Sequence, residues 1–244
     1  MDKDLSQAGP WITGAYALTT ADLLLWAGTT VAYLAVAAVV SDLPLAGEVL
    51  VVLFTPVIAA GVLREAAREA ARPDATGDYA RRARDIFVGI LRDPALALPV
   101  MSVATILLGA WVSLTVLAMI LGVDGASLGA LFAHRDLLAR IFTGVLLAIF
   151  WGLRVALIMT ALYVLAATVL GAARPLEALE QTLALWRKQP LTIASLGVAF
   201  VVPLILATYL GPWIRTLVAL VTVIPLTLAV YLSYESLRAQ GSGS

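Results

Sequence analysis

The stretch from Arg64 to Pro94 reads REAAREAARPDATGDYARRARDIFVGILRDP and lies between two long apolar segments. It holds seven of the sixteen lysine and arginine residues of the chain. Good helix formers fill its first part, and Pro73, Asp74 and Gly77 interrupt them. A second helix is expected from about Asp78 to Arg92. Because loops rich in Lys and Arg stay on the cytoplasmic side of a membrane, this stretch predicts the orientation of the chain.

The composition sets the class of protein. Of the 244 residues, 61 % are apolar and 13 % are charged. The apolar runs reach the roughly 20 residues that a helix needs to cross the hydrocarbon core of a bilayer. The formal net charge of zero argues against a nucleic-acid partner, and the absence of cysteine excludes disulfides and thiolate metal sites. We therefore expect an all-α, polytopic integral membrane protein.

Six apolar runs, on both sides of the basic stretch in the sequence, are predicted to be transmembrane helices. They cover about Ala21–Val40, Glu48–Leu63, Ala95–Leu121, Ile141–Leu170, Leu191–Leu210 and Ile214–Tyr234. An interfacial helix is expected over Leu128–Arg140, and Trp11–Leu18 suits the depth of the membrane interface. We treat residues 1–240 as a single transmembrane domain and residues 241–244, GSGS, as a linker or tag-like tail.

Two amphipathic segments precede apolar runs and align at a spacing of 96 residues. Phe87 then matches Leu183, Ile90 matches Trp186, Arg92 matches Lys188 and Pro94 matches Pro190. Each segment carries one apolar stripe and is too short and too charged to span. The pattern indicates an internal pseudo-repeat of one amphipathic helix followed by a transmembrane hairpin, with a weaker third copy at Pro10–Leu18. The alternative is that any loop before a span tends to contain a helix, a basic residue and a proline.

The cations predict the orientation of the six spans. With both termini on one side, that side holds twelve lysines and arginines, and the other side holds Arg135, Arg140 and Arg215. The positive-inside rule then places both termini and the amphipathic helices in the cytoplasm. The start of the chain, MDKDLSQAGPW, has no basic flank before an apolar core, so we expect no cleaved signal peptide.

The chain resembles the uncharacterised six-span bacterial inner-membrane proteins that place an amphipathic helix before each transmembrane hairpin. The similarity covers nearly the full length. It is carried by LFTPVIAAGVLREAAREA leading to ARDIFVGILRDP, by PLEALEQTLALWRKQPL, and by the closing span that ends VYLSYESLRA. The resemblance implies the fold and a location in the bacterial inner membrane. It supplies no catalytic or binding residues.

Arg154 is the residue that most strongly indicates a site. It lies inside the fourth apolar run, where a cation costs about 3 kcal/mol or more unless it is paired or hydrated. Trp151 lies beside it and Thr143 shares its helical face. One interpretation is a contact for an anionic ligand or lipid headgroup. The other is that the run bends near Trp151-Gly152 or shifts along the membrane normal. Arg154 would then reach an interface or pair with a carboxylate on another helix, such as Asp22 or Glu48.

Two further patterns concern packing and lipid contact. Gly144, Ala148, Gly152 and Ala156 form a row of small residues, which favours close helix packing within the chain over a dimer interface. The cations Arg81, Arg82 and Arg84 are candidate contacts for anionic lipid headgroups. Their alternative role is to set the topology alone.

The sequence contains no recognisable catalytic, cofactor or metal motif. His134 is the single histidine, and a lone histidine without cysteine or clustered carboxylates is a poor metal site. We expect no enzyme, no cofactor and no metal. The favoured function is a non-enzymatic membrane accessory or scaffold protein that contacts lipids, with a membrane-protein partner or a homo-oligomer left open. The alternative is a small transporter or lipid- or anion-handling protein with its site near Arg154.

Overall fold

The computed structural model describes residues 2–41, 43, 47–71, 78–121, 137–210 and 212–242. All regular structure in these ranges is helical, without a strand. The helices are α1 (Asp2–Ala21), α2 (Leu23–Ser41), α3 (Gly47–Ala71), α4 (Tyr79–Arg92), α5 (Pro94–Ile120), α6 (Leu137–Leu170), α7 (Pro175–Lys188), α8 (Pro190–Leu210) and α9 (Pro212–Ser242).

Five of these helices are long and apolar enough to cross a membrane, by length and composition. Their candidate spans are Leu23–Val40, Val49–Ala71, Pro94–Ile120, Arg140–Leu170 and Thr216–Ala239. A shorter apolar segment, Pro190–Leu204, lies in α8. A membrane protein with several apolar helices is thus what the chain encodes.

Helix boundaries follow local capping chemistry. Asp78 accepts a hydrogen bond from the backbone N–H of Arg81 and caps α4. Asp93 accepts one from the N–H of Ala95 and caps α5, whose first residue is Pro94. α7 likewise begins with Pro175, and the Glu177 carboxylate accepts from the backbone N–H of Arg174. A single residue separates α4 from α5 and α7 from α8.

Two predicted boundaries differ from the observed ones. The N-terminal interfacial stretch predicted at Trp11–Leu18 is part of a 20-residue helix, which buries Trp11 and Ala15 against the bundle. Of the interfacial helix predicted over Leu128–Arg140, residues 128–136 lie outside the described ranges. Residues 137–140 are the first turn of α6, which runs unbroken through Trp151-Gly152.

The helices pack around a centre formed by α3, α6 and α9, which contact one another. Each of these three also contacts a helix that precedes a pair of apolar helices in the chain: α3 contacts α4, α6 contacts α7, and α9 contacts α1. In the described part of the chain, the helix–helix contacts repeat every three helices. For every two helices in contact, the two helices three places later are also in contact, if α1 is counted as the helix after α9. The first and last helices therefore lie side by side.

Close approach between helices depends on glycine at one position above all. A Cβ on Gly61 of α3 would lie 2.1 Å from the backbone oxygen of Ile86 in α4. Ile86 and Ile90 are both fully buried against this contact. The apolar side of α4 is thus seated directly on the α3 backbone, which fixes the position of the charged residues on the rest of α4.

Candidate functional sites

An ion-pair network joins α3 and α4 to Asp22, the residue between α1 and α2, and we call it the Arg82 network. Arg82 of α4 donates to Glu65 Oε1 at 2.6 Å and to Glu69 Oε2 at 3.2 Å, and its Nη1 donates to Asp22 Oδ2. The side chains of Arg82, Asp22 and Glu65 are 14 %, 8 % and 7 % exposed. One guanidinium therefore bridges three carboxylates in a largely buried position.

Two further arginines of α3 extend the network. Arg68 lies 3.6 Å from Glu65 Oε2 and 3.3 Å from Asp85 Oδ2. Arg64 donates to Asp93 Oδ2 at 3.0 Å and to the carbonyl oxygen of Gly89. Three arginines thus face five carboxylates, and their bonds tie α4 and the start of α5 to α3.

Electrostatics favour the charged form of the central arginine. Burial lowers the pKa of Arg82, but hydrogen bonds and attraction from Glu65 and Asp22 outweigh that effect and raise its pKa above the usual arginine value. Removing one partner from a buried ion pair leaves an uncompensated charge, which is strongly destabilising. The Arg82 network is therefore suited to hold α3 and α4 in a fixed arrangement with the start of α2.

The three arginines predicted to contact lipid headgroups occupy different environments. Arg81 and Arg84 are exposed on α4. Arg82 points inward to Asp22, Glu65 and Glu69. Only the first two are therefore placed where a headgroup has free access to the side chain.

Arg154 lies near the middle of α6 between two tryptophans. Its guanidinium carbon is 4.8 Å from the ring centroid of Trp151 and 5.1 Å from that of Trp111 in α5. Cation–π attraction of this kind contributes about 0.5–2 kcal/mol per ring, depending on desolvation. The tryptophans thus offset part of the unfavourable energy of a cation at mid-span.

The other residues predicted around Arg154 are not gathered there. Asp22, suggested as a partner, bonds Arg82 instead. The side chain of Glu48, the second suggested partner, lies outside what the structure describes. Thr143 is half-buried on α6 and has no hydrogen bond to Arg154 among the described residues. The site consists of Arg154, Trp151 and Trp111, and Trp111 on another helix carried no signal in the sequence.

A small cavity of about 170 Å³ lies between α2, α3, α6, α8 and α9. Its lining is mainly apolar, with hydroxyl groups from Thr30, Tyr33, Thr55 and Thr227. The Tyr33 hydroxyl and Thr55 Oγ1 are 2.7 Å apart and share a hydrogen bond. Thr30, Thr55 and Thr227 also donate to carbonyl oxygens one turn earlier in their own helices. These hydroxyl groups are thereby satisfied within the bundle.

We looked for groups of acidic and histidine side chains that could hold a metal ion. Among the residues that the structure describes, no group of three or more His, Asp or Glu side chains is placed to do so. The carboxylates Asp22, Glu65 and Glu69 converge on a guanidinium instead. His134 lies in the range that is not described.

Comparison with known proteins returned no match to a family model, to a curated protein or to a solved structure.

Proposed function

We propose that the chain is a six-span integral protein of the bacterial inner membrane with both termini in the cytoplasm. Five candidate spans support this, together with α8, whose 21 residues reach the length needed to cross a bilayer. The orientation rests on the cation distribution, with twelve lysines and arginines assigned to the side of the termini. Because the chain has no cysteine, single cysteines at Ser127 and Ser242 allow each side to be labelled separately.

The proposed architecture is a threefold internal repeat of one leading helix followed by a hairpin of two apolar helices. The units are α1–α3, α4–α6 and α7–α9. The cyclic pattern of helix contacts supports this division. So does the spacing of 96 residues, which superimposes both ends of α4 on those of α7 and the start of α5 on that of α8.

The function that we favour is a non-enzymatic accessory or scaffold protein that contacts lipids and a partner protein. The observation that carries it is the Arg82 network, which fastens α4 to α3 and to Asp22 while Arg81 and Arg84 stay exposed. A fixed helix with exposed cations on the cytoplasmic side is the surface that a scaffold requires. The side chains of the Arg82 network itself are engaged in holding helices together.

Native mass spectrometry of the protein extracted from its own membrane in mild detergent tests this function. We expect a stoichiometric second protein that is lost when Arg81 and Arg84 are both replaced by glutamine. The matched control is Arg187→Gln with Lys188→Gln, which removes two exposed cations from α7, the equivalent short helix of the third unit. A monomer without any partner, extracted intact under crosslinking, would contradict the scaffold function.

The alternative function is a small transporter or anion-handling protein, and one observation favours it. Arg154 is held by Trp111 and Trp151 halfway along α6, a helix of 34 residues or about 50 Å. Ionisable residues at such depth commonly mark substrate pathways. Transport requires that water reach the guanidinium.

Cysteine labelling separates the two functions. In a transporter, Arg154→Cys reacts with a membrane-impermeant thiol reagent, and Arg154→Leu folds but loses function. In a scaffold, Arg154→Cys stays unlabelled, like the control Gly109→Cys on the exposed surface of α5. Loss of folding in both Arg154 variants would identify the arginine as structural and reject the transport alternative.

A further inference from the structure

An open apolar groove separates parts of α6 and α8, and we call it the α6–α8 groove. Its volume is about 550 Å³, within the range of small-molecule binding pockets. Leu147 and Leu206 lie toward one end, and Trp186 and Ala194 toward the other. Its lining side chains are apolar throughout.

The floor of the groove is made of small residues. Ala148, Gly152 and Ala156 of α6 face Ala194 of α8 across it. No atom lies within 4 Å of a Cβ built on Gly152. The row of small residues that predicted close helix packing therefore borders an open space over much of its length.

A tight helix contact borders this space. A Cβ on Gly197 of α8 would lie 2.6 Å from Val155 Cγ1 and 3.0 Å from Met159 Cγ of α6. The two helices therefore touch closely at Gly197 and leave the groove beside that contact. Because this contact holds α6 and α8 together, the groove does not need a ligand to keep the helices in place.

The groove lies between the second and third units, at the place that corresponds to the α3–α5 contact between the first and second units. An ion pair that links α3 to the start of α5 has no counterpart between α6 and α8. Arg64 of α3 reaches Asp93 at the start of α5. The residue 96 positions after Arg64 is Thr160 of α6, which accepts a hydrogen bond from the Trp186 indole at 3.1 Å. Gln189 stands at the position of Asp93, and its Oε1 is buried without a partner in the described ranges. The α6–α8 pair thus lacks the arginine bridge of α3 and α5.

The charge at one end of the groove specifies the ligand. Trp186 lines the groove, and the next two residues, Arg187 and Lys188, are exposed at the end of α7. The carboxylates of the same helix, Glu177 and Glu180, lie about two turns or more toward its other end. An apolar groove whose lining ends at an indole, followed directly in the chain by two exposed cations, matches a lipid tail joined to an anionic headgroup.

We propose that the α6–α8 groove binds one anionic phospholipid, with an acyl chain over Gly152 and the phosphate beside Arg187 and Lys188. This inference rests on the proposed membrane location and deepens the proposed lipid contact, but it does not depend on a partner protein. The other occupant that the small residues suit is a second copy of the chain.

The experiment reconstitutes the full chain with phosphatidylglycerol or phosphatidylcholine of identical acyl chains and counts retained lipids by native mass spectrometry. We expect one retained phosphatidylglycerol per chain and about thirtyfold weaker retention after Arg187→Gln with Lys188→Gln. Gly152→Leu should fill the groove and reduce retention on the order of tenfold. Gly109→Leu adds the same side chain at an exposed glycine of α5 that also has open space, and should retain lipid like the unchanged chain.

Each result bears on the proposal. Equal retention by the Gly152→Leu and Gly109→Leu variants would overturn the groove as the site. Equal retention of phosphatidylcholine and phosphatidylglycerol would overturn the role of the two cations. A dimer lost in Gly152→Leu, with no lipid retained by the unchanged chain, would replace the lipid by a second copy. Failure of the protein to fractionate with membranes would instead reject the proposed function itself.

Discussion

Two junctions between a short helix and a long apolar helix, 96 residues apart, share their local pattern and differ in what holds them. At the α4–α5 junction, Asp93 caps α5 and also binds Arg64. At the α7–α8 junction, Gln189 has a buried Oε1 without a partner among the described residues. Helix lengths are identical, since α4 and α7 both have 14 residues. The comparison teaches that local sequence sets the helix ends, whereas residues on distant helices decide whether the polar side chain at a junction has a partner.

The largest expected effect comes from replacing Arg82, the central arginine of the Arg82 network, on the helix that leads into the α4–α5 junction. Arg82→Met leaves Asp22, Glu65 and Glu69 without their shared partner, so unfolding in detergent should become easier by about 3–5 kcal/mol. Arg84→Met changes the same residue type at an exposed position of α4 and should stay within about 0.5 kcal/mol of the unchanged chain. Similar melting temperatures for the two variants would show that the Arg82 network does not hold the helices.

The next effect concerns the room for a side chain between α3 and α4. Gly61→Ala places a Cβ against the backbone oxygen of Ile86, so we expect a loss of stability of about 1–3 kcal/mol. The position 96 residues later on α6 holds the half-buried Leu157. Leu157→Ala should cost about 1 kcal/mol, because it removes methyl groups that are only partly buried. At these two equivalent positions, the protein should therefore lose stability when the side chain is enlarged at Gly61 and when it is shortened at Leu157.

Thermal unfolding of both variants in one detergent measures the difference. Gly109→Ala serves as the control, because the added methyl group meets open space and should stabilise α5 slightly. If Gly61→Ala were as stable as Gly109→Ala, α4 would have room to move away from α3, and the α3–α4 contact would be looser than the distances imply.

The smallest expected effect has opposite signs at the two junctions. Gln189→Met removes a buried polar atom without a partner and should raise stability by about 1 kcal/mol. Asp93→Met removes a helix cap and the Arg64 bridge, and should lower stability by about 1 kcal/mol. Urea unfolding in mixed micelles can measure both. A loss of stability in Gln189→Met would mean that its oxygen does have a partner in the membrane.

Local signals predicted the helices well. The helix expected from about Asp78 to Arg92 is observed at Tyr79–Arg92, because Asp78 supplies a cap and Pro94 begins the next helix. The good helix formers that follow the second apolar run belong to α3, which continues through Ala71. Caps and prolines act within one helical turn, so a single sequence is enough to find them.

The pairing of charges could not be predicted in the same way. Asp22 lies 60 residues from Arg82, and their contact depends on how α2, α3 and α4 pack. The sequence suggested Asp22 as a partner of Arg154, since both stand at apolar helices. Trp111 near Arg154 was missed for the same reason, because tryptophans in an apolar helix give no sign of the face they cover. Site residues that come from separate helices require the fold.

The contact between the first and last helices bears on how the protein is made. Tyr16 of α1 donates a hydrogen bond to the backbone oxygen of Val221 in α9, 205 residues later. Because α1 precedes α9 in the chain, the contacts between these two helices can form only after α9 has been synthesised. Until then, the part of α1 that packs against α9 has no cover from that helix. The α1–α9 contact therefore forms late in folding, and it completes the cyclic pattern of helix contacts.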